Sequence, residues 1–349
     1  MSHRVIQWAT GGVGRAAIEG VLAHPELELV GCWVHSESKD GKDVGEIIGT
    51  GPVGVRATRD AEALLESPAD CVIYAPVLGQ EPEVVRILES GKNVVTPLGW
   101  FYPWKSSDVA KLDAACRSGG VTLHGTGIHP GGITERFPLM VSALCRNVRH
   151  VRAEEFSDIR NYATEFVVRE VMLFGKPPEE ARKSPMLHIL GAGFGQSIDM
   201  LAAGLGIELD AEKRTHHEMA VATAPIETPV GTLEPGTVAA QRFTWEGTRG
   251  GEPVITVRTN WLMGEEHLDP PWRLDGERFE IELDAEPPVS LTFHGLHPPE
   301  LGKDLDRNPG IAATAMHCVN AVPYVCAAEP GIKTYLDLPL ISGRFATDR

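Results

Sequence analysis

The opening of the chain constrains its fold more than any other segment. An apolar run, residues 5–9, leads into a glycine-rich turn at residues 9–14. A helix-like segment, residues 15–24, and a second apolar run, residues 27–34, follow. Strand, glycine turn, helix and strand in this order are typical of the first unit of a dinucleotide-binding sheet. We therefore expect the amides after the first strand to hold a pyrophosphate at a helix N-terminus.

The same alternation continues to about residue 125. Helix-like segments and apolar runs follow one another at residues 61–67, 71–75, 81–90, 93–96, 108–118 and 121–124. Strands that alternate with helices form parallel sheets with helices on both faces. The sequence therefore predicts an α/β fold that begins with a Rossmann-type, doubly wound parallel sheet.

The pattern changes after a glycine- and proline-rich passage at residues 125–132. Two helical stretches are predicted, at residues 163–174 and 187–203. Two hairpins follow, residues 237–245 with 253–261 around a loop at 246–251, and residues 278–283 with 289–294. Hairpins without intervening helices predict a second α+β domain with a mixed, mostly antiparallel sheet, one face of which is free. Such a face is a candidate homodimer surface.

This organisation predicts three segments. Residues 1–130 form the dinucleotide-binding domain, residues 131–305 the substrate and dimerisation domain, and residues 306–349 a C-terminal helix and tail that return to the first domain. The boundaries follow the change of pattern near residue 130 and the apolar helical stretch at residues 308–328.

Charge and cysteine content exclude several classes of protein. The formal charge of −16 repels nucleic acid, so a bound anionic cofactor needs a local positive group. No apolar run approaches the roughly 20 residues of a membrane span. The six cysteines are widely spaced, without a Cys-x-x-Cys pair, which is typical of reduced thiols in a cytoplasmic protein.

The cofactor site is predicted at the glycine turn. Its candidate ligands are Thr10, Gly11, Gly12, Val13 and Gly14. Gly11 and Gly14 occupy the second and third glycine positions of the dinucleotide fingerprint, and Ala9 stands at the first. The alternative is a glycine-rich turn without a ligand.

The end of the second strand bears on the choice of nicotinamide. His35, Ser36 and Lys39 supply donors and a positive charge that suit a 2′-phosphate, whereas Glu37 suits a free 2′-hydroxyl. We favour NADP over NAD, with a solvated loop as the alternative. Further cofactor contacts are predicted at Ala75, Pro76, Thr96, Pro97 and Asn320.

Three segments together resemble the dihydrodipicolinate-reductase-like superfamily. They are residues 7–14, residues 125–131, and residues 314–323 with their continuation to 339. The likeness is greater to 2,4-diaminopentanoate dehydrogenase and the native NAD(P)H-dependent amine dehydrogenases. It implies a dinucleotide-binding domain, a second domain for substrate and dimer formation, and an active site between them. It also implies reversible hydride transfer between NAD(P)H and a C=N or C=O carbon.

One loop departs from the family pattern. Relatives similar to this chain carry a glutamate after the fifth strand that holds ammonia or an amine. The matching positions here are Leu98 and Gly99, in the apolar and aromatic loop at residues 96–104. Without a carboxylate, a dry site loses its attraction for a cationic amine. Either another acid takes this role, or the substrate is not an amine.

Four residues are candidates for catalysis. Hydride transfer needs a proton donor near the developing charge, and Tyr102 and His129 are positioned in the sequence to supply one. Asp158 and Glu165 are candidates for the missing acid. The alternatives are structural: a turn-capping role for His129, and an exposed helix start capped by Asn161 or Thr164 for the acidic segment. His188 and His317 are read as packed histidines.

Two further patterns give weaker evidence of a functional site. His216 with His217, and His294 with His297, lack the frame of a metal site, so we predict no metal. The small residues at 191–195 are read as helix packing rather than a second cofactor turn.

The sequence thus predicts an NAD(P)H-dependent oxidoreductase, amine dehydrogenase-like, that acts on a small hydrophobic substrate. The alternatives are a ketone or imine reductase that uses no free ammonia, and a non-catalytic dinucleotide-binding regulator.

Overall fold

The computed structural model describes residues 2–105, 108–162, 165–297 and 308–345. The chain folds into two compact units, Met1–Gly132 with Ile311–Arg349 and Ile133–Gly310. Within the described ranges, no helix is long and apolar enough to cross a bilayer.

The first unit is a seven-stranded parallel sheet with helices. Its strands are β1 His3–Trp8, β2 Leu27–Trp33, β3 Ala57–Thr58, β4 Cys71–Tyr74, β5 Asn93–Thr96, β6 Thr122–Gly125 and β14 Gly331–Ile332. Its helices are α1 Gly12–Ala23, α2 Val44–Ile48, α3 Ala61–Glu66, α4 Glu81–Glu89, α5 Ala110–Gly119 and α9 Pro309–Cys326. The strand order is β14-β6-β5-β4-β1-β2-β3, which confirms the predicted Rossmann-type sheet.

Apolar strands explain why this sheet is covered on both faces. Val5 belongs to one core and its neighbour Ile6 to the other, because successive side chains point to opposite faces. Helix α9 contributes Cys318 and Val322 to the same core as Val5. The C-terminal helix is therefore part of the first unit, although almost the whole second unit precedes it in the chain.

The second unit is built on a mixed, mostly antiparallel sheet, as predicted. Its strands are β7 Arg146–Asp158, β8 Arg214–Ala222, β9 Val238–Arg249, β10 Glu252–Leu262, β11 Leu268–Asp269, β12 Arg278–Glu286 and β13 Val289–Phe293. Its helices are α6 Phe137–Ser142, α7 Pro178–Ala181 and α8 Met186–Leu205. The order is β11-β8-β9-β10-β7-β12-β13, in which β10 and β7 run parallel.

Two predicted elements differ from the structure, and strand β8 is an addition to the prediction. The loop expected at residues 246–251 is only the turn Gly250-Gly251, because β9 continues to Arg249 and both glycines have positive φ angles of 62° and 82°. The helix expected at residues 163–174 is a single π-helical turn, Phe166–Val171, and residues 163–164 lie outside the described ranges. Strand β8 was not predicted, because its polar, histidine-rich sequence lacks a clear apolar alternation.

The two faces of the second sheet differ in character. Helix α8 lies on the apolar face, where Phe194 packs 4.7 Å from the ring of Trp245 and the Trp245 indole donates to the Leu187 carbonyl at 3.2 Å. A Cβ on Gly191 would lie 2.8 Å from that indole nitrogen, so the small residues at 191–195 allow close packing, as predicted. The opposite face carries charged side chains, among them Arg152 paired with Glu282 at 2.6 Å.

Candidate active-site residues

The glycine turn after β1 is a close-packed backbone structure. Ala9 adopts a positive φ of 75°, and its carbonyl oxygen accepts a hydrogen bond from the buried Gln7 amide at 3.0 Å. A Cβ on Gly14 would lie 2.2 Å from the Ala9 oxygen, so only glycine fits there. The turn therefore brings the start of α1 directly against the end of β1.

The geometry of this turn fits a pyrophosphate. Gly11 is exposed, and a Cβ on it would have no atom within 4 Å. Helix α1 carries no acidic residue in its first turn, and Gly11 offers no side chain to cap it. The first amides of a helix attract anions when nothing else occupies them. Backbone at this end of the helix is open to a ligand, while Gly14 keeps it close to the sheet.

A lysine lies against the same turn. The Lys39 ammonium donates to the Thr10 hydroxyl at 2.9 Å and to the Thr10 carbonyl at 3.4 Å. The short 3-10 turn Glu37–Lys39 after β2 places this side chain. Of the predicted ribose-side residues, His35 is exposed and the Ser36 hydroxyl hydrogen-bonds Ser38 at 2.7 Å. Lys39 is thus the one of the three that the structure shows in contact with the glycine turn.

The next two strands end in the other predicted cofactor contacts. The Ala75 amide donates to the Trp8 carbonyl at 3.1 Å, and Pro76 follows it. The Thr96 hydroxyl accepts a hydrogen bond from the Leu98 amide at 3.2 Å. Because parallel strands end at one edge, Ala75 and Thr96 lie at the same edge of the sheet as the glycine turn.

Helix α9 lies along part of this edge. Its Ile311 side chain packs near Gly12, 3.3 Å from where a Cβ on that glycine would lie. Its Thr314 side chain is likewise 3.6 Å from the position of a Cβ on Gly127. Pro97 lies 3.8 Å from the same Gly127 position. Asn320, further along α9, is near the C-terminal segment, 3.9 Å from a Cβ on Gly343.

The loop after β5 divides between packing and exposed surface. Phe101 is 2% exposed, whereas Leu98 is 36% and Trp104 45% exposed. Tyr102 is half-buried and meets the Trp104 ring edge-on at 4.9 Å. Phe101 is therefore packed within the protein, whereas Leu98 and Trp104 present apolar surface.

The end of β6 carries a chain of polar side chains. The Thr126 hydroxyl hydrogen-bonds the Tyr335 hydroxyl, which lies 3.1 Å from Nδ1 of His317 on α9. The sequence offered no role for Tyr335, and His317 is half-buried in this chain rather than packed in a core. His129, a few residues further on, is half-buried, and both of its ring nitrogens are shielded from solvent.

In the second unit, the two predicted acids differ. Asp158 accepts the Arg160 amide at 3.1 Å, as the cap of a 3-10 turn, and forms an ion pair with the Arg160 guanidinium at 2.9 Å. This engagement favours the structural alternative for Asp158. Glu165 is exposed immediately before the π-helical turn, and the predicted cap Thr164 lies outside the described residues.

Two other carboxyl groups, Glu155 and Glu277, were missed by the sequence analysis. Burial, and then the charge of Glu277, raise the pKa of Glu155 to about 7, while a hydrogen bond from the Trp261 side chain opposes the shift. Burial, and then the charge of Asp158, raise the pKa of Glu277 to about 7, against a hydrogen bond that it accepts from the Asp158 amide at 2.9 Å. Carboxyl groups that titrate near neutrality often belong to functional sites.

One sequence signal pointed to Glu155. Glu154 and Glu155 are adjacent on a strand, so their side chains must point to opposite faces of the sheet. Val151 and Ala153 share the face of Glu155 and are fully buried. A charged residue in register with buried apolar ones indicates a special environment.

Three other histidines, His188, His216 and His217, lie in the second unit. His217 hydrogen-bonds the Gln241 side chain at 3.0 Å and stacks on Phe243, whereas its neighbour His216 lies on the other face, 3.5 Å from Glu246. His188 is exposed near the start of α8, so its interpretation as a packed histidine was wrong. Among the described residues, no group of three His, Cys, Asp or Glu side chains is arranged to hold a metal ion.

Comparison with known proteins agrees with this architecture. Residues 133–348 match the model of the 2,4-diaminopentanoate dehydrogenase C-terminal domain, and residues 5–95 match that of the dihydrodipicolinate reductase N-terminus. The chain is 31% identical to an amine dehydrogenase of Streptomyces virginiae, over 96% of each chain. The chain belongs to the 2,4-diaminopentanoate dehydrogenase and amine dehydrogenase family. It is also 24% identical to 2,4-diaminopentanoate dehydrogenase of Acetoanaerobium sticklandii, over 73% of this chain and 67% of that protein.

Solved structures of similar fold extend over both units of this family member. The amine dehydrogenase of Mycobacterium smegmatis matches with a TM-score of 0.78 at 24% identity, over 99% of this chain and 98% of that one. The myo-inositol dehydrogenase of Lactobacillus casei, solved with NAD(H) and myo-inositol, matches with a TM-score of 0.56 at 16% identity, over 97% and 90%. At these identities, the likeness confirms the fold.

Family membership confirms the expected class of protein. The chain is an oxidoreductase of a dinucleotide-binding family, and the predicted likeness to amine dehydrogenases and dihydrodipicolinate reductases is correct. The family implies a small-molecule substrate. The roles of individual residues stay predictions.

Proposed function

We propose that this oxidoreductase transfers hydride from NADPH to the C=N or C=O carbon of a small hydrophobic substrate, in the manner of an amine dehydrogenase. The contact between Lys39 and Thr10 carries the choice of NADPH. In a chain of net charge −16, this ammonium lies 2.9 Å from a residue of the glycine turn. A phosphate-bearing ribose beside the turn gains a charge-assisted partner there, whereas a free hydroxyl gains less. NAD remains the second candidate, with Glu37 in its favour.

The cofactor ligands proposed are those predicted from the sequence. The amides from Gly11 to Gly14 bind the pyrophosphate, and Thr10 and Lys39 lie at its adenosine side with His35 and Ser36. The strand ends at Ala75–Pro76 and Thr96–Pro97, with Asn320, complete the proposed set. The open backbone at Gly11 and the acid-free first turn of α1 support it.

The chemistry proposed divides between cofactor and protein. The nicotinamide, when bound, supplies the hydride. The protein must donate a hydrogen bond or a proton to the oxygen or nitrogen that gains negative charge. Tyr102 and His129 are the proposed donors, in line with the sequence prediction. Exposed apolar side chains after β4 and β5 favour a hydrophobic substrate: Val77 is 83%, Leu78 71% and Leu98 36% exposed.

A second candidate is a carbonyl or imine reductase that takes no free ammonia. The observation that favours it is Leu98, an exposed apolar side chain where relatives similar to this chain carry an acid. The two candidates are separated by NADPH oxidation in the presence of hydrophobic aldehydes and ketones, with and without ammonium. Turnover that requires ammonium supports the amine dehydrogenase; equal turnover without it supports the reductase. No turnover with any carbonyl compound contradicts both.

Lys39 provides the test of cofactor choice. Replacing it by alanine removes a charge-assisted contact, so Lys39→Ala is expected to weaken NADPH binding about tenfold, with little effect on NADH. Lys42→Ala is the matched control, since Lys42 is an exposed lysine of the same loop. Fluorescence titration of each variant with both cofactors measures the difference. Equal losses for NADH and NADPH would contradict the assignment of Lys39 to a 2′-phosphate.

We further propose a homodimer that forms through the charged face of the second sheet. On this face the Glu154 side chain is only 3% exposed. Its carboxylate accepts a hydrogen bond from the Asn260 amide at 2.9 Å and pairs with the Arg258 guanidinium at 3.4 Å. A face whose charged side chains are already held in place by one another suits a two-fold interface, in which the same patch of each subunit contacts its copy. Light scattering measures the mass; a monomer at micromolar concentration contradicts the proposal.

A further inference from the structure

Polar groups interrupt the apolar face of the second sheet at one end of β7. Glu155 pairs with Thr259 on β10 and with Phe279 on β12, and Glu155 shares its face with the buried Val151 and Ala153. Directly paired residues of neighbouring strands point to the same face. The Glu155 and Thr259 side chains are therefore neighbours on the same face of the sheet.

The Thr259 hydroxyl has no hydrogen-bond partner among the residues that the structure describes. The residue is 0% exposed, so bulk solvent does not reach it. A buried hydroxyl without a partner is costly and uncommon, and valine has almost the same shape without that cost. A buried hydroxyl that the described residues leave unpaired, on the same face as a carboxyl group, could accept a hydrogen bond from a ligand that donates to both.

The charge of this region favours a positive charge on that ligand. The charge of Asp158 is compensated by Arg160, as described above, which leaves Glu155 and Glu277 as interacting carboxyl groups. Because burial raises the pKa of both carboxyl groups, a positive charge beside the pair would stabilise their ionised forms.

Aromatic side chains surround the pair. The Trp261 side chain donates to Glu155. Tyr162 lies close enough for the Glu155 charge to raise its pKa, after the larger effect of lost solvation. Phe279 stacks on His297 at 4.9 Å. Aromatic rings and carboxylates together bind ammonium groups, whereas a divalent metal needs more oxygen ligands.

We propose that Glu155, Glu277 and Thr259 bind the nitrogen substrate, ammonium or a primary alkylammonium ion. Glu155 and Glu277 accept its N–H groups, and the Thr259 hydroxyl accepts another. Glu155 and Glu277 then take the role of the acid that is absent at Leu98 and Gly99. This inference rests on the proposed function, because an enzyme that uses no amine has no need of the site.

Steady-state kinetics test the assignment. Glu155→Gln is expected to raise the KM for ammonium at least tenfold relative to the KM for NADPH, because the charge that attracts the cation is lost. Thr259→Val is expected to raise it about threefold to tenfold. Glu212→Gln is the matched control: Glu212 is an exposed glutamate between α8 and β8, and the KM for ammonium should stay at the wild-type value.

The unfolding temperature of Thr259→Val distinguishes a loss of ligand binding from a loss of folding. If the hydroxyl serves only the ligand, this variant unfolds at the same or a higher temperature than wild type while its KM rises. A structural role would lower the unfolding temperature instead. A stable Thr259→Val variant with an unchanged KM for ammonium, together with an unchanged KM in Glu155→Gln, overturns the proposal.

Direct binding separates this inference from the proposed function. Ammonium chloride should raise the unfolding temperature of the wild-type protein above that in sodium chloride of equal concentration, and Glu155→Gln should abolish the difference. A wild-type protein that shows this shift but aminates no carbonyl compound loses the proposed function and keeps the site. A protein that aminates, but shows neither the shift nor the KM change, keeps the function and loses the site.

Discussion

Gly14 faces the carbonyl oxygen of Ala9 so closely that a Cβ at position 14 would lie 2.2 Å from that oxygen. This contact fixes the start of α1 against the end of β1 and leaves the Gly11 backbone exposed. The two glycines thus differ, because Gly14 is closely packed within the protein whereas a Cβ on Gly11 would meet no atom within 4 Å.

Gly14→Ala should therefore destabilise the first unit, by roughly 2–4 kcal/mol, because backbone must move to admit the methyl group. Gly11→Ala is the control: its φ of −72° suits alanine and its Cβ meets no atom within 4 Å, so stability should change little. Gly11→Ala should still weaken NADPH binding, since the methyl group lies where the pyrophosphate approaches. Urea unfolding and cofactor titration of both variants measure the contrast. Equal free energies of unfolding for Gly14→Ala and Gly11→Ala would contradict the prediction, because the backbone around Gly14 would then admit a methyl group at little cost.

Ala9 holds a conformation that favours glycine. Its φ of 75° lies in the left-handed region, which costs a residue with a Cβ about 1 kcal/mol. Ala9→Gly should remove that strain and stabilise the protein by up to about 1 kcal/mol, with cofactor binding retained. Ala17→Gly, in the middle of α1, should instead destabilise it. Thermal unfolding compares the two; a loss of stability in Ala9→Gly would show that its methyl group contributes packing that outweighs the strain.

The acid pair predicts a pH dependence of stability. The pKa values of Glu155 and Glu277 are raised to about 7, so the folded protein holds protons that the unfolded chain releases from about pH 4.5. Their contribution is present below pH 4.5 and is lost as the pH rises to about 7. The free energy of unfolding of Glu155→Gln, measured relative to that of wild type, should therefore increase on the order of 2 kcal/mol from pH 4 to pH 8. Urea unfolding at both values, with Glu282→Gln as reference, checks this. A constant difference between variant and wild type would contradict the shift.

His297 predicts the opposite trend. Burial lowers its pKa from 6.5 to about 4, so the folded protein keeps this imidazole neutral where the unfolded chain protonates it. The stability that depends on it is full above pH 6.5 and is lost as the pH falls toward 4. His297→Phe should weaken this acid sensitivity, whereas His188→Gln, at an exposed position, should leave it unchanged. Unfolding midpoints at pH 4.5 and 7.5 measure both, and an unaltered acid sensitivity in His297→Phe would refute the assignment.

The fold of the first unit was largely predictable because its strands are short apolar runs separated by helices. Cys71, Val72, Ile73 and Tyr74 are all fully buried, as a strand covered on both faces requires. The second unit was harder, since strands such as β8 owe their position to the neighbours with which they pair. His216 and His217 resemble a metal pair in sequence, yet pairing with β9 sends them to opposite faces.

The sequence by itself determined the glycine turn, the parallel sheet and the family, because these depend on local order and on residues that are adjacent in the chain. Tertiary structure decided the surroundings of each acid. Asp158 is drawn into an ion pair with Arg160, while strand pairing places Glu155 next to Thr259, which is far away in the chain. The pKa of a carboxyl group depends on burial and on nearby charges, and both come from residues that only folding brings together.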